Sequence, residues 1–567
     1  MTREEVIKEI RELSLDGILG FLAGVSLEMI QSGLDYNSSS FQGGYLNCAL
    51  VDDFPRTIQS AHKRYIPGHA PITDGNNIFI HEQNIAWLCH AAILYAKQDV
   101  ITSEITNRLS CRLCRLLLII NDLLNVEQMP GPYGLEQRRR LAQNWLRNGQ
   151  FNRFFGDERE TLVKLGRQKI IMCDILPLYL EDVHSLFKKA TGIGLERYFE
   201  VVSVLISHFL KGMGKGTHCL AKDTVLSNIK ANRADIELLL NNWSVTPGEY
   251  RSDCQTWISQ RTDQGELALY DYVPLRKKPL VEARHGELIC AVPSFLFAKI
   301  EDEPYFRLSE FLTGKELSNF QRKLGLAYEE YANRLVQRIA YNDKSGKWAV
   351  KRNPQKNKQE ELADIYLQRN GTGIAFEHKG QRPGTEFLRG GEGDLVVGPS
   401  VSLIGCLEAG DSIAFSKGKS EDKGLITRGM WQQSNSGQKL LSWAEEHFGE
   451  KPVRLFPVIT LYSSLIVDEA VRKIYLMPLI EKAKLYDGQC WEWPQWMNVR
   501  DLEAMAAMAE AGEFDFDLLL REKTNNYADM RFDVFLYNQK ARCIDQKLLN
   551  EANSILESAA ITFFGEK

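Results

Sequence analysis

Residues 361–379 restrict the fold of this chain more than any other segment, because they read as two short strands joined by a Gly-containing turn. Asp364 lies on the first predicted strand, and Glu377 and Lys379 lie on the second. Successive side chains of a strand point to opposite faces, so Glu377 and Lys379 share one face while their apolar neighbours take the other. Two carboxylates and an ammonium on one face favour a site for a divalent cation and a phosphate.

The composition is that of an ordinary globular protein. The chain has 567 residues, which is enough for about three or four domains by length alone. Its 44% hydrophobic and 25% charged residues exclude a disordered or fibrous protein. The net charge of -5 argues against a uniformly basic coat for nucleic acid, and it leaves room for a local basic groove.

Targeting signals and cysteines favour a cytoplasmic location. The N-terminus carries both charge signs and has no apolar core, so it is not a secretory signal. The most hydrophobic run, at 116–120, is far shorter than the roughly 20 apolar residues that cross a bilayer, so we expect no membrane contact. Among the 11 cysteines only Cys111 and Cys114 are close, and no second pair with zinc spacing follows. We therefore expect reduced, structural thiols.

The hydrophobic patterns predict an α+β chain of several domains. Residues 1–245 are predicted to form a mostly α-helical recognition or assembly region, and 246–310 a β-rich connecting segment. Residues 311–465 are predicted to hold a mixed sheet flanked by helices, and 466–567 a mostly helical C-terminal extension. The elements expected in the sheet domain are a helix at 325–340, a strand at 347–350, the two strands of 361–379, a Gly-rich stretch at 380–424, a helix at 428–447 and a strand at 453–461.

This α-β-β-β-α-β order, with an aspartate followed by Glu-x-Lys, resembles the PD-(D/E)xK nuclease superfamily. The resemblance covers about residues 320–465 and implies a restriction-endonuclease-like core. It implies that Asp364, Glu377 and Lys379 are catalytic, although Ala363 stands where the family often has proline. A catalytic glutamate on the first helix is also common in the family, and Glu329 fits that position best.

Two assignments stay open at this level. Glu330 is the fallback for the glutamate of the first helix. Some branches of the family carry a glutamine on the helix after the lysine strand, and Gln432, Gln433 and Gln438 are all candidates. The long stretch that separates Lys379 from that helix departs from the family pattern.

The residue types suit phosphodiester hydrolysis. A hard cation polarises a phosphoryl oxygen and activates water, and Mg²⁺ prefers a few carboxylate oxygens. Asp364, Glu377 and Glu329 are the expected ligands of Mg²⁺, or of Mn²⁺ in its place. Lys379 is expected to position the attacking water or to steady charge on the phosphate.

A basic run next to this segment has two interpretations. It contains no acidic residue, and its expected nucleic-acid contacts are Lys347, Lys351, Arg352 and Lys356. Such a run can neutralise phosphates, which would make binding sensitive to salt. Lysines on an edge strand also protect it from pairing with another chain, and we give this alternative equal weight.

Other polar and aromatic signals favour structural roles. His378 points away from Glu377 and Lys379, so we expect it to pack against a helix. Basic residues at 138–140 fit a solvated helix face better than a second contact for nucleic acid. Tryptophans at 491, 493 and 496 fit a packed aromatic turn better than a base-stacking surface.

We therefore expect a metal-dependent endonuclease that acts on DNA in preference to RNA. By analogy, a nuclease domain joined to a helical region suggests a bacterial restriction or antiviral defence system, with a homo-oligomer or a partner subunit. One alternative is a catalytically silent subunit that binds nucleic acid or acts as a scaffold. Another is a helical sensor whose nuclease domain stays silent until a partner or ligand binds.

Overall fold

A computed structural model describes most of the chain. The described residues are 3–32, 80, 82–98, 107–125, 158–214, 219–259, 272–284, 286–357, 360–380, 425–462, 472–486, 490–528, 530–539 and 543–565. The basic cluster at 138–140 and the Gly-rich stretch from 381 onward lie outside these ranges, and so does the side chain of Lys356.

Helices dominate the described part of residues 1–245, as the sequence predicts. They lie at Arg3–Ile10, Leu15–Ser32, Glu82–Tyr95, Asn107–Asn125, Glu158–Lys169, Val183–Thr191, Leu195–Gly214, Lys222–Ser227 and Arg233–Trp243. Two short strands, β1 (Cys219–Ala221) and β2 (Ser244–Val245), also occur there.

The expectation of a β-rich segment at 246–310 is wrong for its described part. Its two strands are β3 (Leu280–Arg284) and β4 (Glu287–Ile289), which join β1 and β2 in a sheet of order β1-β4-β3-β2. The rest is helical, at Pro247–Ser259, Val273–Lys277, Pro293–Phe297 and Lys299–Phe311. Three of these helices have proline in their first turn, where its missing N–H is tolerated, so proline marks the start of a helix at these three positions.

The mixed sheet has five strands in the order β11-β10-β9-β8-β5. Its strands are β5 (Ala349–Arg352), β8 (Ile365–Arg369), β9 (Thr372–Lys379), β10 (Arg454–Leu461) and β11 (Gln495–Asn498). The pairs β5/β8 and β8/β9 are antiparallel, whereas β9/β10 and β10/β11 are parallel. A small hairpin, β6 (Gln355–Asn357) with β7 (Glu360–Glu361), precedes β8.

Two helices cover the faces of this sheet. We call Gly314–Asn342 the long helix and Leu425–Phe448 the covering helix. Ile374 and Phe376 of β9 belong to the large core on the side of the long helix. Ala375, which alternates with them, packs with Leu440 of the covering helix. The predicted order of one helix, three strands, a helix and a strand is therefore present in the structure.

The C-terminal segment also contributes to the sheet. Its described helices are Met477–Ala483, Val499–Glu510, Phe516–Asn526, Phe532–Asn538 and Gln546–Ala559. Strand β11 lies among them and pairs in parallel with β10, so the segment is not helical throughout. Trp496 lies on β11 and is buried, and Trp491 packs edge-on against Tyr486. These contacts agree with a packed aromatic role.

One hydrophobic core joins the helical part, the sheet and the C-terminal helices. It runs from Leu165 through Phe376 to Phe563, and it crosses the boundaries expected at 245, 310 and 465. Within the described ranges, no helix combines the length and the apolar character needed to cross a membrane.

Candidate active site

Asp364 directly precedes β8, beside the end of β9 that carries Glu377, so it lies just outside the strand on which the sequence places it. Ile365 of β8 pairs with Phe376 of β9, and the Asp364 N–H donates to the Phe376 carbonyl at 3.0 Å. The Asp364 carboxylate also accepts a hydrogen bond from the N–H of His378, which fixes it at this end of the sheet.

Lys379 lies between a carboxylate and an amide. Its Nζ donates to Oε1 of Glu377 at 2.5 Å and to Oε1 of Gln432 at 2.9 Å. Glu377 and Lys379 therefore share one face of β9, as the alternation predicts. Gln432 belongs to the covering helix, so this helix covers the site on one face of the sheet.

The structure distinguishes between the three candidate glutamines. Only Gln432 among them has a hydrogen bond to Lys379 in the described residues. Gln433 is buried, and its Nε2 donates to the carbonyls of Ala375 and Val458, which ties the covering helix to β9 and β10. Gln438 is exposed, two turns further along the covering helix.

The absence of a side chain at Gly429 brings the covering helix close to the site. A Cβ at this position would lie 3.1 Å from Cε of Lys379 and 3.6 Å from Cγ of Glu377. The lower of these distances is tighter than ordinary van der Waals contact. Glycine at 429 therefore lets the backbone of the covering helix pack directly on Glu377 and Lys379.

Glu329 reaches the same cluster from the long helix. The end of β9 passes close to that helix, because a Cβ at Gly380 would lie 2.9 Å from Cβ of Tyr328. Burial is the largest cause that raises the pKa of Glu329 to about 7, and the charges of Glu361 and Glu377 add to it. Glu329 is thus close enough to both carboxylates to respond to their charge.

Acidic side chains are concentrated here beyond those expected. Burial, followed by the charges of Glu377 and Glu329, raises the pKa of Asp364 well above its usual range. Burial and Glu377 also raise the pKa of Glu361. The sequence interpretation missed Glu361, whose signal was an acidic residue three positions before Asp364. A cation at this cluster would relieve the repulsion between its carboxylates.

The carboxylates are not arranged as a finished metal centre. In the described ranges, no group of three or more His, Cys, Asp or Glu side chains has the geometry to hold an ion. Mg²⁺ is commonly bound by one or two carboxylates and completes its shell with water and substrate phosphate. Asp364 and Glu377, which lie next to each other at the end of β9, fit that smaller requirement, with Glu329 near them.

The basic run is only partly directed toward the site. Lys347 and Lys351 are exposed, and Lys351 lies on β5, which forms an edge of the sheet. Arg352 is bound to the carboxylate of Glu330. Phosphate contact and edge protection both remain compatible with the two exposed lysines.

Glu330 and His378 have structural partners. Glu330 accepts from Arg334 at 2.7 Å as well as from Arg352, and both cations lower its pKa against the opposing effect of burial. Nε2 of His378 lies 3.1 Å from Oδ1 of Asn333 on the long helix. Burial lowers the pKa of His378 to about 3, so its ring is neutral and packs on the helix as expected.

Comparison with known proteins adds no assignment. No family model, no curated protein and no solved structure matches this chain. Its function is therefore inferred from the contacts of its own residues.

The raised pKa of Glu329 predicts a pH dependence of stability. Between about pH 4.5 and about pH 7 the folded protein holds a proton that the unfolded chain has lost. This stabilisation is complete below pH 4.5 and is lost as the pH rises through 7. In urea unfolding, the free energy of unfolding of Glu329→Gln should therefore rise relative to that of the wild type as the pH increases from about 5 to about 8.

Glu330→Gln is the matched control for this measurement. The pKa of Glu330 is lowered, so its protonation changes below about pH 4.5 and its contribution is constant above pH 5. A difference between wild type and Glu329→Gln that stays flat over the same pH range would contradict the assignment of Glu329 to the acidic cluster.

Proposed function

We propose that this protein is a metal-dependent nuclease with a restriction-endonuclease-like core. The observation that carries the proposal is the Lys379 ammonium held between Glu377 and Gln432, with the Asp364 carboxylate bound to the N–H of His378, the residue between Glu377 and Lys379. This set combines carboxylates that suit Mg²⁺ with one cation, at the end of a sheet that helices cover on both faces.

In this proposal Asp364 and Glu377 hold Mg²⁺, or Mn²⁺ in its place, and Glu329 assists directly or through water. The ion supplies Lewis-acid polarisation of the phosphate when it is bound. Lys379 orients the attacking water and stabilises negative charge that develops on the phosphate. Glu377 and Gln432 restrict the Lys379 side chain to one position, which reduces the entropy lost on reaching the reactive geometry.

The substrate and biological setting follow as proposals from the same reasoning. We favour DNA over RNA as the substrate. The sheet shares one hydrophobic core with the helical part, which suits a role in recognition or triggering for residues before 311. A restriction or antiviral defence system, with a second copy or a partner subunit, is the setting that we propose.

The competing function is a silent subunit that binds nucleic acid. In the described ranges, no three side chains form a complete metal site, which favours the silent subunit. Purified protein incubated with labelled DNA and RNA panels in Mg²⁺, Mn²⁺ or EDTA separates the two functions. The nuclease predicts cleavage that EDTA abolishes. Binding without cleavage under every condition, with and without added phage material, would support the silent subunit.

The metal itself can be tested without activity. Mg²⁺ or Mn²⁺ should raise the melting temperature of the wild type, because an ion bound only by the folded state stabilises it. The increase should be lost in Asp364→Asn, which keeps the shape and removes the charge. An equal increase in both proteins would show that the ion binds elsewhere.

Replacing Gly429 should separate stability from activity. Alanine favours a helix over glycine by as much as about 1 kcal/mol, so Gly429→Ala should not lower the stability of the covering helix. The new Cβ should, however, displace Lys379 by a few tenths of an ångström. We expect cleavage to fall about tenfold or more with no loss of melting temperature. Gly325→Ala in the long helix is the control, since its Cβ meets nothing within 4 Å. Full activity in Gly429→Ala would contradict the role of this close approach.

A further inference from the structure

A turn of the helical part, at residues 176–180, packs on the long helix and exposes a leucine. Leu176 and Leu180 are buried in the large core, and the Leu180 N–H donates to the Leu176 carbonyl at 2.8 Å. Leu178, between these anchors, is 67% exposed. The backbone is therefore held at both ends while the Leu178 side chain is exposed to solvent, and the Tyr179 side chain that follows is partly buried against the same core.

The long helix connects this turn to the site. Lys323 donates through Nζ to the Tyr179 carbonyl. Glu330 and Arg334 lie seven and eleven residues after Lys323, which puts them on the same face of the helix. The long helix also packs on residues 176–178, and burial, followed by the charges of Glu330 and Glu329, raises the pKa of Tyr179.

Arg352 continues the surface to Asp364. Its guanidinium binds Glu330, and its backbone pairs with Ile365, the residue after Asp364. The next N–H, of Asn353, donates to the Asp364 carbonyl at 2.9 Å. Arg334 and Arg352, which share Glu330, therefore connect the turn at Leu178 and Tyr179, along the long helix, to the strand end next to Asp364.

We propose that Leu178 and Tyr179 contact an unpaired base of the nucleic-acid strand that enters the site. This inference rests on the proposed nuclease function and defines its substrate class. An aliphatic side chain and an aromatic ring suit the flat face of a base, whereas they offer nothing to a phosphate. Arg334 and Arg352 are 47% and 38% exposed and share the single carboxylate of Glu330, so this group keeps one positive charge for the flanking phosphates.

The occupant follows from this combination of apolar and cationic groups. A paired base shows its faces only to its neighbours in the stack, so the site selects nucleic acid with a single-stranded or unpaired segment. The helical part then contributes directly to substrate recognition, because Leu178 and Tyr179 belong to it and the acidic cluster belongs to the sheet.

The test compares two double variants in a binding assay without cleavage. Fluorescence anisotropy in EDTA measures binding of labelled single-stranded DNA, single-stranded RNA and blunt duplexes of equal length. Leu178→Ala/Tyr179→Ala should bind single strands about tenfold more weakly than the wild type and should bind the duplex unchanged. Leu518→Ala/Tyr341→Ala is the control, because these residues are 59% and 55% exposed elsewhere on the surface.

The outcomes separate this inference from the proposed function. Equal single-strand affinity in the two double variants overturns the inference, and cleavage by the wild type then leaves the nuclease function in place. Weaker binding in the Leu178/Tyr179 variant, with no cleavage by the wild type in any metal, supports the contact and rejects catalysis. A wild type that binds no strand in EDTA and cleaves none in Mg²⁺ or Mn²⁺ rejects both. Unchanged melting temperatures show that neither variant is misfolded.

Discussion

Lys379→Ala is expected to reduce Mg²⁺-dependent cleavage about a hundred- to ten-thousandfold while the protein stays folded. The range is that of losing a positioned proton-transfer or charge-stabilising group. Lys379 is the cation that contacts both Glu377 and Gln432, and among the residues that the structure describes no other cation bonds to this pair. Initial rates on a labelled substrate, with circular dichroism on the same samples, measure the effect.

Lys451→Ala is the matched control for charge, because Lys451 is exposed and precedes β10 at the other end of the sheet. Asp364→Ala should lose activity to a similar extent as Lys379→Ala. The two losses should not add in the double variant, since both residues serve one reaction. Cleavage at wild-type rates in either single variant would require abandoning the active site proposed for this cluster.

Arg167→Ala is expected to have the largest effect on stability, about 3–5 kcal/mol. Arg167 is fully buried and donates to both carboxylate oxygens of Glu503, at 2.6 and 2.7 Å, and to Glu301 at 2.5 Å. Removing it leaves the buried Glu503 carboxylate with the Tyr331 hydroxyl at 2.7 Å but without its bidentate cation. Denaturation by urea at neutral pH measures the loss.

Arg197→Ala provides the comparison for this stability prediction. Arg197 pairs with Glu200 at 2.6 Å, yet a third of its side chain is exposed, so its loss should cost at most about 1 kcal/mol. The Arg167 network joins the helix Glu158–Lys169 to the long helix and to Val499–Glu510. A loss below 1 kcal/mol for Arg167→Ala would show that this network does not hold the helical part to the sheet.

Local sequence predicted the site elements well because their signals are local. Alternation around Glu377 and Lys379 fixed which face each side chain takes, and the apolar run at 453–461 indicated β10. The same alternation placed His378 on the opposite face, where it meets Asn333. Only β11 was missed within the sheet, since four residues between helices carry too little periodicity to be recognised.

The sequence alone determined the order of helices and strands around residues 361–379 and the common face of Glu377 and Lys379, because a period of two residues is a property of the backbone. Tertiary structure decided what comes to that face from distant segments. The rotation of the covering helix, which the close approach at Gly429 permits, directs Gln432 and not Gln433 toward Lys379. The position of Leu178 and Tyr179 against the long helix likewise depends on packing between segments about 150 residues apart, and no local pattern encodes such a contact.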